Sequence, residues 1–147
     1  MSHFLLLVLV ECDPTAKHWR ATPDHDFRKR LRELMADYYC RELSDRPSCK
    51  CDGYVVGGWY DGVLYGKPAE HNLTPDQVRG RFGAAFEKVR FRENIRPVNE
   101  LPESVQPFAV VCPSGTWIDM TSDGRSEIAR ALALNSDRLA IAVDCHC

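Results

Sequence analysis

The sequence predicts an α+β fold, a single domain over 1–147 in which a mainly antiparallel sheet carries about three helices on one face. Phe4 to Val10 is an apolar run of strand length. The helix-start signature Thr-Pro-Asp occurs twice, at 22–24 and 74–76. Glycine-containing turns separate β-rich segments as hairpins do, and those hairpins break the strict βαβ order that a parallel sheet needs.

Taken in order, Phe4–Val10 is continuously apolar, as a strand buried on both faces must be. In Thr22-Pro23-Asp24 the Thr is a helix N-cap, the Pro suits the first helical position, and the acid favours the positive end of the dipole. Phe27, Leu31, Leu34, Met35 and Tyr38 then follow at helical spacing, so the helix is expected to run to about Glu42. Gly53 to Tyr60 and Val63 to Tyr65 are rich in Val, Trp and Tyr, with Asp61-Gly62 between them as a hairpin turn. Thr74-Pro75-Asp76 opens a second amphipathic helix through Val78, Phe82, Phe86 and Val89, weakened by Gly80 and Gly83 at about 1 kcal/mol each. Arg92 to Pro107 holds Pro97, Pro102 and Pro107 and is expected to be an extended connector. Phe108–Cys112 and Trp117–Met120 flank Pro113-Ser114-Gly115 as a second hairpin. A short helix, Ser126–Leu134, leads through Asn135-Ser136-Asp137 into the closing strand Ile141–Cys147.

With 147 residues, 44% hydrophobic and 27% charged, the chain can bury one core. Its net charge of -2 supplies no field to hold a polyanion, which disfavours nonspecific nucleic-acid binding. No Lys or Arg precedes the first apolar run, and Glu11-Cys12-Asp13-Pro14 follows where a signal peptide needs small residues. No other run approaches the ~20 residues of a membrane span, so the reading is a cytoplasmic protein with no membrane partner. Seven cysteines, an odd number, point to free thiols or a metal rather than to disulfides.

Two constellations could carry chemistry. In an extended C-terminal segment Asp144 and His146 share one face and Cys145 and Cys147 the other. If the first and last strands are antiparallel neighbours, His3 lies beside Asp144 and His146, giving two imidazoles and a carboxylate for acid–base catalysis or a divalent metal. The bland alternative is a polar strand end in solvent. The paired motifs Cys49-Lys50-Cys51 and Cys145-His146-Cys147 invite zinc. Both pairs would have to bend, because positions two apart in a strand lie about 6.6 Å apart, so separate reduced thiols and no cofactor are the favoured reading. Gly57, Gly58, Trp59 and Tyr60 combine flexible backbone with aromatics as a candidate ligand platform, although core packing is the favoured account. Arg79, Arg81, Lys88, Arg90, Arg92 and Arg96, interrupted by Glu87 and Glu93, read as a solvated face with an anion patch as the alternative.

Four segments together resemble an uncharacterised family of small bacterial and phage proteins. They are Met1-Ser2-His3-Phe4, Asp52-Gly53-Tyr54-Val55-Val56-Gly57-Gly58, Pro107 to Val111 with Gly115-x-Trp117, and Val143-Asp144-Cys145-His146. That family opens on a Met-Ser-His-Phe strand, has a Gly-Gly-Arg-Trp or Gly-Gly-Arg-Tyr centre and closes on Val-Asp-Cys-His. This chain departs at Trp59, where the family shows Arg, and Cys49, Cys51 and Cys147 are not general features of the family.

The resemblance directs attention to His3, Asp144 and His146 and implies a place in the bacterial and phage accessory repertoire. The expected function is a binding or regulatory protein that recognises a protein or a small anionic ligand near Gly57-Gly58 and interferes with a host process. The rival is a metal-dependent or acid/base hydrolase using His3, Asp144 and His146. A third reading is a zinc-stabilised interaction module built on Cys49, Cys51, Cys145 and Cys147.

Overall fold

The computed structural model describes residues 3–11, 18–40, 48–82, 91–121 and 124–147, with the side chains of 79–82 excepted. Its strands are β1 (His3–Val10), β2 (Gly53–Val56), β3 (Ile95–Pro97), β4 (Ala109–Val111), β5 (Trp117–Asp119) and β6 (Leu139–His146). The α-helices are α1 (His18–Ala21), α2 (Asp24–Met35), α3 (Pro75–Phe82) and α4 (Gly124–Leu134).

β1 and β6 pair antiparallel along their whole length, from His3 opposite His146 to Val10 opposite Leu139. They form the centre of a sheet ordered β2-β6-β1-β4-β5, with β3 joining the same side of β6 as β2. Both central strands are apolar and buried on both faces, which is why their sequences run without alternation. Each fully buried side chain among Leu6, Leu7, Leu9 and Ile141 contributes roughly 1.5–3 kcal/mol.

Two features of the expected architecture are corrected. The sheet is mixed: β4 runs parallel to β1, with Leu6, Leu7 and Val8 opposite Ala109, Val110 and Val111. The helices cover both faces, as a sheet buried on both sides requires. Phe27, Leu31, Leu34 and Met35 of α2 pack on Leu6, Val8 and Val10, while Ile128 of α4 joins Leu5, Leu7 and Leu9 on the opposite side.

The two helix starts also diverge. At Thr74 the cap forms in both directions: the Gln77 amide donates to Thr74 Oγ1 at 3.2 Å and the Thr74 amide to Gln77 Oε1 at 2.8 Å. In α2 the cap position falls on Pro23, which offers no capping side chain, and the helix ends at Met35, well before Glu42. Phe86, Val89, Lys88 and Arg90, with the side chains of Phe82, Arg79 and Arg81, lie outside the described residues. Of the six basic residues, Arg92 is bound to Asp24 at 2.7 Å and Arg96 donates to the Leu64 carbonyl at 2.8 Å.

Of the two expected hairpins, Ala109–Val111 with Trp117–Asp119 forms, with Gly115 in the left-handed region at φ 92°. The segment around Asp61-Gly62 does not. β2 stops at Val56, and single 3₁₀ turns, Gly58–Tyr60 and Val63–Tyr65, follow instead. A long-range contact holds this turn: buried Asn94 accepts the Gly62 amide at 3.1 Å and donates to Asp61 at 2.9 Å. The proline-rich connector carries β3, whose terminal Pro97 gives up only a donor at the end of its ladder.

Candidate active site: two aspartate–histidine pairs

The candidate site forms where β1 begins and β6 ends. Register places His3 opposite His146 and Gly53 on the far side of His146, so three strand termini meet. Asp144 lies two residues before His146 on the same face, diagonal to His3, within reach of cross-strand side chains. His3 Nδ1 is 2.8 Å from Asp144 Oδ1, and the two imidazoles meet edge to face with centroids 4.9 Å apart. The structure thus brings His3, Asp144 and His146 together.

A fourth residue completes the arrangement. Asp52, immediately before β2, places Oδ1 2.7 Å from His146 Nδ1, and its amide donates to the His146 carbonyl at 2.9 Å. Sequence reading passes over Asp52 because only the β2–β6 register sets it beside His146. The available signal is the adjacency of Asp52 to Gly53, legible once that register is known.

Asp144 is 2% exposed, and burial pushes its carboxyl above the ordinary value, opposed by the Trp59 amide and by His3. The Trp59 amide donates to Asp144 Oδ2 at 2.9 Å. Gly58, at φ +56°, makes that approach feasible: a Cβ there would stand 2.6 Å from Asp144 Cβ and 2.8 Å from Val55 Cγ2, and nearer still to the carboxylate. The Trp59 indole stacks on His3, centroids 3.7 Å apart at 12°, and its Nε1 donates to the Leu73 carbonyl at 3.0 Å.

Within the Gly57–Tyr60 segment, Gly58 and Trp59 therefore hold Asp144 and His3 in place. Tyr60 is buried with Leu5 and Leu7, and its hydroxyl is pushed up to about 12 by burial, then by Asp144 and Cys145.

A cavity of about 460 Å³ opens beside the pairs. His3, Asp52, Asp144 and His146 supply its polar wall, and Tyr54, Val55, Leu73, Pro75 and Val78 its apolar one. With each Nδ1 turned to a carboxylate, the Nε2 atom of each ring is the one left for chemistry.

The cysteines depart from expectation. Cys49 is disulfide-bonded to Cys40, with Cα atoms 5.7 Å apart, so it offers no thiolate to a metal and neither residue is a free thiol. A parallel bridge pairs Tyr39 with Cys51, and the Cys40 amide donates to the Cys51 carbonyl at 3.0 Å, which sets Cys40 near Cys49. Cys51 and Cys145 are buried free thiols, the Cys51 thiol donating to the Tyr38 carbonyl at 3.7 Å, and Cys147 is a half-buried free thiol just after β6. Among the described residues, no group of three or more His, Cys, Asp or Glu side chains is arranged to hold a metal ion.

No helix among the described residues is long and apolar enough to cross a membrane. Comparison with protein-family models, with curated proteins and with solved structures returned no match.

Proposed function

We propose that this cavity is a general acid–base site of a small hydrolase or group-transfer enzyme. One observation carries the reading: each imidazole has its own aspartate on Nδ1, and both rings line one cavity. An aspartate at Nδ1 fixes the proton there, leaving Nε2 as a base, and steadies the imidazolium once that base has taken a proton. With one ring neutral and the other protonated, the first draws a proton from an attacking water while the second gives one to the leaving group. Each transfer is worth about 10²–10⁴ in rate. The 4.9 Å ring separation suits a single substrate group touching both rings, and the apolar wall suits an uncharged flanking group.

The test is hydrolysis of chromogenic carboxyl esters and phosphodiesters by the wild type, His3→Ala and His146→Ala. Turnover by the wild type that falls about 100-fold or more in both variants, assayed below the melting temperature of each, is the expected result. Wild-type turnover no faster than buffer, or equal rates in all three proteins, overturns it.

A second reading rests on the same rings. When both are protonated they offer two N–H donors to one small anion, as a binding or regulatory protein of the bacterial and phage accessory repertoire would need. Calorimetry with inorganic phosphate then gives binding by the wild type that is lost in His3→Ala and in His146→Ala. Binding that survives either substitution counts against it.

A further inference from the structure

We propose that Gly53 opens a subsite beside His146 for an uncharged aliphatic group of the substrate, carried next to the bond that the histidines act on. This deepens the acid–base reading and rests on it for what happens to the substrate, while the subsite itself is a matter of binding and is tested without turnover.

Nothing in the fold asks for glycine at this position. Its φ is not positive, unlike that of Gly57 or Gly58, so an ordinary L residue can adopt its backbone. A Cβ built on Gly53 meets no atom within 4 Å beyond its chain neighbours, whereas one on Gly58 would strike Asp144. Glycine also weakens a strand, because it loses more backbone freedom on folding and packs no side chain. Stability alone favours a β-branched residue where β2 begins. What glycine supplies instead is room.

The strand register fixes where that room lies. Gly53 is opposite His146 and Val55 is opposite Asp144 in the β2–β6 ladder. Paired residues share a face, so both β2 positions look into the cavity that the aspartate–histidine pairs line. The missing side chain leaves open a strip of strand beside His146. Val55 continues that strip on the same face and begins the apolar wall completed by Leu73, Pro75 and Val78.

The lining selects what enters. Its described residues include two carboxylates, Asp52 and Asp144, and no Lys or Arg, so an anionic group there meets repulsion without a counter-charge. Both carboxylates are already bound to an imidazole, so a cationic group gains little from them. A polar chain against Val55, Leu73, Pro75 and Val78 would lose its water without replacement. An aliphatic chain loses nothing by leaving water, and about 460 Å³ suits a compact ligand that carries one.

Binding of unreactive primary amides tests this, with the amide standing in for the reacting carbonyl and the chain for the flanking group. Butanamide and hexanamide are titrated into wild type, Gly53→Ala and Gly53→Leu, and the backbone amide resonances of Val55 and Leu73 report binding. Wild type is expected to hold hexanamide about tenfold more tightly than butanamide, from two further buried methylenes. Gly53→Ala should narrow that preference, and Gly53→Leu should erase it and weaken hexanamide binding about tenfold or more. Gly53→Ala should also melt about 1–4 °C above wild type, the sign opposite to that of a glycine the fold requires. Equal affinities of wild type for the two amides, hexanamide binding unchanged in folded Gly53→Leu, or Gly53→Ala melting below wild type would each overturn the proposal. If Gly53→Leu does not fold, the wild-type preference and the two Gly53→Ala measurements decide. Ester hydrolysis by the same wild-type protein separates the two claims: chain-length preference without hydrolysis keeps the subsite and removes the acid–base reading, and hydrolysis without that preference does the reverse.

Discussion

The two aspartate–histidine pairs use the same residue types around one cavity, but the chain holds them differently. In one, Asp144 is 2% exposed, gripped by the Trp59 amide, cradled against Gly58, and its histidine is stacked under an indole. In the other, Asp52 and His146 are each 29% exposed, and a strand terminus holds them. The first pair is part of the fold, and the second is an addition to its edge. A preorganised site needs at least one member fixed by packing, and burial supplies that here at the cost of desolvating a carboxyl.

The contrast can be broken most forcefully at Gly58. Replacement by Ala puts a methyl group into Asp144 and Val55 at a left-handed backbone position, so strain and overpacking add. A loss of roughly 3 kcal/mol is expected, about 10 °C in melting temperature for a chain of this size. A shift of only a degree or two would show that Asp144 moves aside easily.

Truncating the aspartates comes next. Asp144→Ala leaves the Trp59 amide without its buried acceptor and should cost about 2 kcal/mol. Asp52→Ala removes a partly exposed pair and should cost about 0.5 kcal/mol after solvent screening. Denaturant unfolding of both variants compares them, and equal losses contradict the distinction drawn above.

The pH dependence of stability sharpens the same point. Folded Asp144 holds its proton more tightly than the unfolded carboxyl, whose ordinary value is 3.8. Folding therefore takes up a proton between 3.8 and the higher folded value, and stability falls as pH rises through that window before levelling off. In Asp144→Asn this contribution to the slope should vanish. An unchanged slope in that variant would assign the titration to another group.

An effect between those of the two aspartate variants is expected at Trp59. Trp59→Phe keeps a ring over His3 but loses the donor to the Leu73 carbonyl, about 1 kcal/mol, with the Asp144 contact retained through the backbone amide. Chemical shifts of His3 that collapse to random-coil values would instead make the indole indispensable to the pair.

Local signals carried the reading of this chain some distance. The uninterrupted apolar run of β1, the hairpin at Gly115, and α2 as an amphipathic helix on the sheet all follow from residues within a few positions of one another. Strand alternation alone put Asp144 and His146 on one face, and the assumption of antiparallel termini added His3. What escaped depends on pairing between distant segments. The parallel β1–β4 ladder, the approach of Asp52 to His146, and Cys40 meeting Cys49 leave no periodicity in the sequence. Gly57-Gly58 reads as strand because its neighbours are β-formers. Its left-handed geometry makes sense only beside a buried carboxylate supplied by residue 144.

The ladder between β1 and β6 also has a consequence for biosynthesis. His3 faces His146 and Val10 faces Leu139, so the strand made first waits for the strand made last. At ordinary translation rates the interval is on the order of ten seconds, long compared with hydrophobic collapse. Once β4 has been made, Phe4–Val10 has it as a sheet partner on one edge and unpaired backbone N–H and C=O groups along the other. Nascent chains arrested before residue 139 are therefore the species expected to recruit chaperones or aggregate, and completion of β6 is the step that ends that exposure.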